Sequence, residues 1–174
     1  GLIQDPAAVF IFTEFLSTLP VDQIKSGYAE LLKHGLIADK NAWKKLTEHT
    51  DVKILDFEQL VFESLTIKKK VTEQDPNEKG LRKILNFGHT IGHAVESYWM
   101  DSRTPLLHGE AVAIGMVSEA FLSYRIGKIS ESELAARYGV SRVISIMVSR
   151  KPSFANSRRP ASFFEAAMST TRGA

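Results

Sequence analysis

Apolar residues recur at helical spacing along most of this chain. From Asp22 to about Ala38, Ile24, Tyr28, Leu31, Leu32 and Leu36 return every three or four positions. That period predicts an amphipathic helix, and Pro20 followed by Asp22 marks its start. A second helix is predicted over Lys40 to Glu48. A third runs from Phe57 to about Thr72, with Leu60, Val61, Ser64, Leu65 and Ile67 turned inward. Asp75-Pro76-Asn77 breaks the pattern, because a proline biases the residue before it away from helix. With Gly80 at its lip, the next helix is expected over Leu81 to Trp99. Beyond a loop at Asp101 to Pro105, Leu106 to Tyr124 is rich in Ala, Val and Met, which predicts a helix buried nearly all round.

Two stretches depart from this rhythm. Ala8-Val9-Phe10-Ile11-Phe12 is a short unbroken apolar run, the kind found in buried strands. It reads as the middle of a fold, so upstream sequence is expected. No later stretch reads as a strand and no internal repeat is visible. The fold class is therefore mainly α, with at most a short N-terminal strand. From about Ser149 the chain turns to Ser, Arg and Pro, a composition that offsets little of the entropy of ordering. This tail is expected to be mobile and open to trypsin. Apolar surface near Met116 and Phe121 is then expected to stay partly uncovered. The expected organisation is a strand and linker over 1–20, a helical body over 21–130 and an atypical, poorly ordered tail over 131–174.

Composition narrows the chemistry. The length of 174 residues suits one domain with its own core. A formal net charge of +2 is too small to argue for nucleic acid or a membrane surface. No stretch approaches the roughly 20 apolar residues of a membrane span, and Gly1 to Phe10 lacks the pattern of a signal peptide. There is no cysteine. Disulfides and thiolate sites are excluded, and any metal would use His, Asp or Glu. A reducing, cytoplasmic setting is compatible with that.

Three segments carry candidate chemistry. On a helix, Arg82, Asn86, His89 and His93 would form one stripe, because they are four, three and four residues apart. Gly88 and Gly92 would form a second stripe that admits another backbone. Each glycine inside a helix costs on the order of 1 kcal/mol relative to Ala, so a packing or functional reason is expected. His pairs four apart are often plain surface residues; the flanking Arg, Asn and glycines weigh against that here. In the second segment Glu30 lies among apolar neighbours with Lys33 one turn on, and taken alone this reads as a surface ion pair. In the third, His108 stands at the start of the buried helix, as a cap or as a ligand. A helix N-terminus disfavours the protonated imidazole that could not bind metal. Glu30, His89 and His108 together form a His₂-carboxylate set, an inventory suited to catalytic zinc. Their spacing matches no short zinc motif, so composition and periodicity leave this as one option among several.

At these residues a family resemblance appears. Gly27-x-Ala29-Glu30-x-x-Lys33-x-Gly35, Gly80-x-Arg82-x-x-Leu85-Asn86-Phe87-Gly88-His89-Thr90-x-Gly92-His93-Ala94-x-Glu96 and His108-Gly109-Glu110-Ala111-Val112 resemble the signature blocks of 3-dehydroquinate synthase, in that family's order and at nearly its spacing. Thr13 to Pro20 resembles the segment joining the family's two domains. The resemblance covers about Gly1 to Ser130. It implies the helical C-terminal domain of the dehydroquinate synthase-like fold. It also implies an NAD-dependent lyase of the shikimate pathway, on the way to aromatic amino acids, that uses zinc or cobalt. That enzyme converts 3-deoxy-D-arabino-heptulosonate 7-phosphate, a phosphorylated sugar acid, to 3-dehydroquinate and phosphate. In the reaction it implies, NAD⁺ withdraws and later returns a hydride, phosphate leaves by elimination, and an intramolecular aldol closes the ring.

The resemblance assigns Glu30, His89 and His108 to the metal, and Lys33, Lys68, Arg82, Asn86 and His93 to the substrate. It puts Phe15, Leu16, Ser17 and Thr18 against NAD and implies a homodimer in the full-length enzyme. Departures stand beside it. Gln23 occupies a place where the family usually has Glu near NAD. The glycine-rich nucleotide-binding domain is not in these residues, so a fragment inactive alone, without tight NAD binding, is expected. The family's last helices are not recognisable after about Ser130. A related cyclase making an inosose or valiolone is the alternative within the fold, and a non-catalytic metal-binding helical remnant is the alternative outside it.

Overall fold

The computed structural model describes residues 6–48, 52 and 56–137. Among them the ordered elements are helices, and no strand is present. A 3₁₀ turn covers Thr13–Thr18. The α-helices follow as α1 (Val21–Ala38), α2 (Lys40–Glu48), α3 (Phe57–Gln74), α4 (His89–Trp99), α5 (His108–Arg125) and α6 (Glu131–Arg137), with a second 3₁₀ segment at Leu81–Asn86.

The first three helices follow the predicted periods, and their ends have local causes. Pro20 sits at the N-cap of α1 in an extended conformation. Asp39 then starts α2, its Oδ1 accepting from the Asn41 and Ala42 amides. Asp56 does the same for α3, accepting from the Gln59 N–H. Inside the core, Tyr28, Ala29, Leu31 and Leu32 of α1 meet Leu46, Leu60, Val112, Ala113 and Met116. Thus α1 is the central element, touching α2, α3 and α5, while α4 lies along α5. The Tyr28 hydroxyl donates to the Leu46 carbonyl at 2.6 Å, and burial pushes its pKa up to about 12.

Several expectations change. Ala8–Phe12 forms no strand; Val9, Phe10, Ile11 and Phe12 are all exposed. A strand needs a partner for its backbone, and none is present among the described residues. Leu65, expected inward, is exposed, because α3 buries only the narrow face carrying Leu60 and Val71. Helix α5 is buried from Gly109 to Met116 and then opens, leaving Leu122 exposed. Met116 itself is 2% exposed and packs against α4 at Gly88, so the uncovered apolar surface expected near Met116 and Phe121 lies only further along the chain, at half-buried Phe121 and exposed Leu122 and Ile126.

The largest correction concerns Leu81 to Trp99, which is not one helix. Leu81–Asn86 is 3₁₀, Phe87 and Gly88 turn, and α4 begins at His89. Gly88 takes φ +81°, a left-handed conformation that glycine adopts freely. Arg82, Asn86, His89 and His93 therefore do not share a stripe. The expected tail mobility from Ser149 lies outside the described residues. The part that is described after Ser130 is helical, with Ser130 and Glu133 capping each other at the start of α6. No helix among the described residues is long and apolar enough to cross a membrane.

Candidate metal centre

Two close helix crossings gather the candidate residues. Where α5 meets α1, the Gly109 N–H donates to Ser26 Oγ at 2.9 Å, and a Cβ on Gly109 would stand 1.9 Å from the Ser26 carbonyl oxygen. Glu30, one turn beyond Ser26, is thereby brought beside His108. Where α4 meets α5, a Cβ on Gly115 would stand 1.9 Å from the Gly88 carbonyl oxygen. That contact seats His89, the next residue, against the same point. The expected close approach at Gly88 and Gly92 is correct, although one residue caps α4 and the other lies within it.

The donor atoms converge. Glu30 Oε1 is 3.5 Å from His89 Nε2 and 4.0 Å from His108 Nε2. The imidazoles of His89, His93 and His108 each offer a nitrogen, all within 4.8 Å of one another. His93 thus joins the cluster, more exposed than His89. Two donors bound about 2.1 Å from one tetrahedral ion stand roughly 3.4 Å apart, so the distances from Glu30 to His89 and His108 need little adjustment. Glu30 Oε1 is buried and has no hydrogen-bond partner among the described residues. A buried carboxylate oxygen left unpaired is destabilising, and a cation at the imidazoles would satisfy it.

Electrostatics favour the ligand forms. Burial pushes the Glu30 carboxyl up, but the hydrogen bond and charge of Lys33, with the nearby imidazoles, outweigh it and hold the group below the usual carboxylate range. Lys33 is buried and bonds Glu30 Oε2 at 2.6 Å, so this pair is not the surface ion pair that the sequence alone favoured. Burial, then the charge of Lys33, holds His89 below the usual imidazole value, against the opposing pull of the Phe87 carbonyl and Glu30. Both histidines turn Nε2 toward Glu30. His89 Nδ1 lies 3.4 Å from the Phe87 carbonyl, and His108 Nδ1 lies 3.1 Å from Glu96 Oε2.

The other candidates are held elsewhere. The Arg82 guanidinium donates to the Pro76 carbonyl and the Asn86 amide to Glu78. Asn86 opens on a cleft of about 720 Å³ that Lys83, Thr90 and Glu119 also line. Lys68 is exposed on α3, where its charge reaches His34. Phe15, Leu16, Ser17 and Thr18 lie in the 3₁₀ turn, with Phe15 exposed and both hydroxyls bonded to preceding carbonyls.

Three contacts had little or no signal in the sequence. Glu119 accepts from the Gly88 and Ile91 amides and caps α4 from α5. His34, buried, bonds Ser64 Oγ at 2.5 Å across to α3. Glu96 meets His108, and here a signal existed: it follows His89 by seven residues and His93 by three, on one helix face.

The fold and the cluster define a helical domain that brings three imidazoles together, with the Glu30 carboxylate beside two of them. The chain belongs to the 3-dehydroquinate synthase C-terminal family, whose model matches residues 27–162. That match runs past Ser130, where the visible motifs stop. A 3-dehydroquinate synthase of Parabacteroides distasonis is 45% identical over 129 residues, 72% of this chain and 36% of the relative. One from Dictyoglomus thermophilum is 44% identical over 133 residues, 73% and 36% of the two chains. The chain thus spans little more than a third of the length of these curated relatives. Among solved structures it is similar to the 2-epi-5-epi-valiolone synthase of Streptomyces hygroscopicus subsp. jinggangensis with NAD⁺ and Zn²⁺ bound. The TM-score is 0.63 and the identity 25%, covering 91% of this chain and 43% of that one. A 2-deoxy-scyllo-inosose synthase complexed with carbaglucose-6-phosphate, NAD⁺ and Co²⁺ gives 0.61 and 26%, covering 90% and 42%.

Proposed function

We propose that this chain is the metal- and substrate-binding part of a 3-dehydroquinate synthase, with Glu30, His89 and His108 holding zinc or cobalt. The observation that carries the reading is the unpaired, buried Glu30 Oε1 facing Nε2 of both histidines. The metal supplies Lewis-acid polarisation of a ring alcohol, and NAD, held in part by Phe15 to Thr18, supplies the hydride chemistry. The chain's own residues bind and orient. Lys33 keeps Glu30 ionised, and burial keeps His89 neutral. His93, at the rim of the cluster, faces the substrate. Lys68, Arg82 and Asn86 meet its phosphate and carboxylate, which replace the present partners of Arg82 and Asn86, Pro76 and Glu78. The substrate is 3-deoxy-D-arabino-heptulosonate 7-phosphate, the full-length enzyme is a cytoplasmic homodimer, and the isolated chain is inactive. Identity near 45% to dehydroquinate synthases, against 25–26% to the other two cyclases, favours this substrate over an inosose or valiolone precursor.

The test joins the chain to the residues that precede it in the Parabacteroides distasonis relative and measures phosphate release with NAD⁺ and zinc. The joined protein is expected to release phosphate from the heptulosonate phosphate. The chain alone, and the joined His89→Ala variant, are expected to release none. A joined protein that folds, binds NAD⁺ and zinc, and turns over glucose 6-phosphate instead would overturn the substrate assignment.

A further inference from the structure

We propose that Glu96 is a positioning residue that fixes the tautomer and rotamer of His108, so that its Nε2 lone pair faces Glu30. The inference rests on the metal reading above and adds a residue to it. His108 opens α5 and its side chain is 45% exposed. An imidazole so placed has room to rotate, and in water neither nitrogen is held. Among the described residues Glu96 holds it, with Oε2 3.1 Å from His108 Nδ1. A carboxylate only accepts, so Nδ1 carries the proton and the lone pair of Nε2 is left free for a cation. His89 reaches the same state by another route, since its Nδ1 lies against the Phe87 backbone carbonyl, which cannot swing away. The two histidines are thus set unequally, one by backbone and one by a side chain.

The helix geometry supports the pairing. Glu96 lies on the face of α4 that carries His89 and His93. The α4–α5 crossing at Gly88 and Gly115 fixes the distance between that face and the start of α5. Glu96 can therefore reach His108 without displacing any residue of the cluster. A carboxylate behind a ligating imidazole orients the ring and raises its basicity, and losing it lowers metal affinity about 10–100-fold.

Two readouts test this, one of them independent of metal. In the ¹⁵N-labelled metal-free chain near pH 8, where free imidazole is neutral, two-bond ¹H–¹⁵N spectra distinguish the tautomers. His108 is identified by its loss in His108→Ala. His108 should be the Nδ1–H form in the parent chain and in Glu96→Gln, whose amide oxygen still accepts. It should shift toward Nε2–H in Glu96→Ala. Chelator competition should then show zinc binding weakened about 10–100-fold in Glu96→Ala and less in Glu96→Gln, with little change in the Tm of the metal-free chain. An unchanged tautomer in Glu96→Ala would overturn the proposal. So would a zinc Kd within about twofold of the parent, against the 10–100-fold expected. If the tautomer responds as described but the parent chain binds no zinc, the metal reading falls and Glu96 stands as the group that sets His108.

Discussion

The segment from Gly80 to Glu96 is continuous in sequence and divided in space. Its second half, the start of α4, lies on α5 with backbone against backbone, so that a Cβ at Gly115 would meet the Gly88 oxygen at 1.9 Å. Its first half, Leu81–Asn86, is a 3₁₀ segment resting on α3 and α1 and held from outside by two carboxylates. Asp75 accepts from the Lys79, Gly80 and Arg82 amides, and Glu78, itself at φ +54°, accepts from Asn86. His89 is thus seated by backbone packing at the α4–α5 crossing. The amide and guanidinium are held by exposed bonds that a ligand's own oxygens can take over. Metal-binding and substrate-binding demands differ in the same way: one needs a rigid set of donors, the other needs groups free to engage on arrival.

The largest expected effect breaks the rigid half. Gly115→Ala puts a methyl group into backbone, where neither helix can yield without moving His89, and should destabilise the chain by about 3–5 kcal/mol in chemical denaturation. A loss below about 1 kcal/mol would mean that α4 is free to back away from α5.

Next comes the support beneath Glu30. Burial, followed by the charge of Lys33, depresses the His34 pKa from 6.5 to about 4. The unfolded chain therefore binds more protons between these values, and stability must fall as pH drops from about 6.5 toward 4. The loss should be on the order of 2–3 kcal/mol. In His34→Gln that slope should flatten; if it stays as steep, the acid sensitivity arises elsewhere.

A smaller effect belongs to Glu119. Glu119→Ala removes the acceptor for the Gly88 and Ile91 amides. It should cost about 1–2 kcal/mol, with faster hydrogen exchange at those two amides. The smallest effect falls on the loosely held half. Backbone bonds from Gly80, Arg82 and Lys79 keep the Asp75 carboxyl below the usual range. Asp75→Asn should speed hydrogen exchange at Gly80 and Arg82 while leaving global unfolding nearly unchanged. A global loss comparable with that of Gly115→Ala would erase the contrast between the two halves.

What was legible in the sequence follows the same division. Helices α1 to α3 are set by their own apolar period and by Pro20, Asp39 and Asp56 at their starts, so local pattern located them. The break at Gly88 is not local. Glycine at positions 88 and 92 fits a helical period equally well, and the left-handed turn stands where Val112 and Met116 of α5 leave no room for a Cβ. Leu65 and Ala8–Phe12 failed for a related reason: periodicity gives a face, not the neighbour that would cover it. At the site, residue types supplied an inventory and the family blocks selected among its members. That His93 stands with His89 and His108, and that Glu96 stands behind His108, depends on the α4–α5 crossing. One sequence does not encode that crossing in any single stretch.

Zinc stoichiometry by equilibrium dialysis tests the central claim most directly. The parent chain is expected to bind about one zinc ion, the coordination inventory of a single His₂-carboxylate site. The double variant Glu30→Ala, His89→Ala is expected to bind none at the same free zinc. Unchanged stoichiometry and affinity in that variant would contradict the assignment of Glu30 and His89 as ligands.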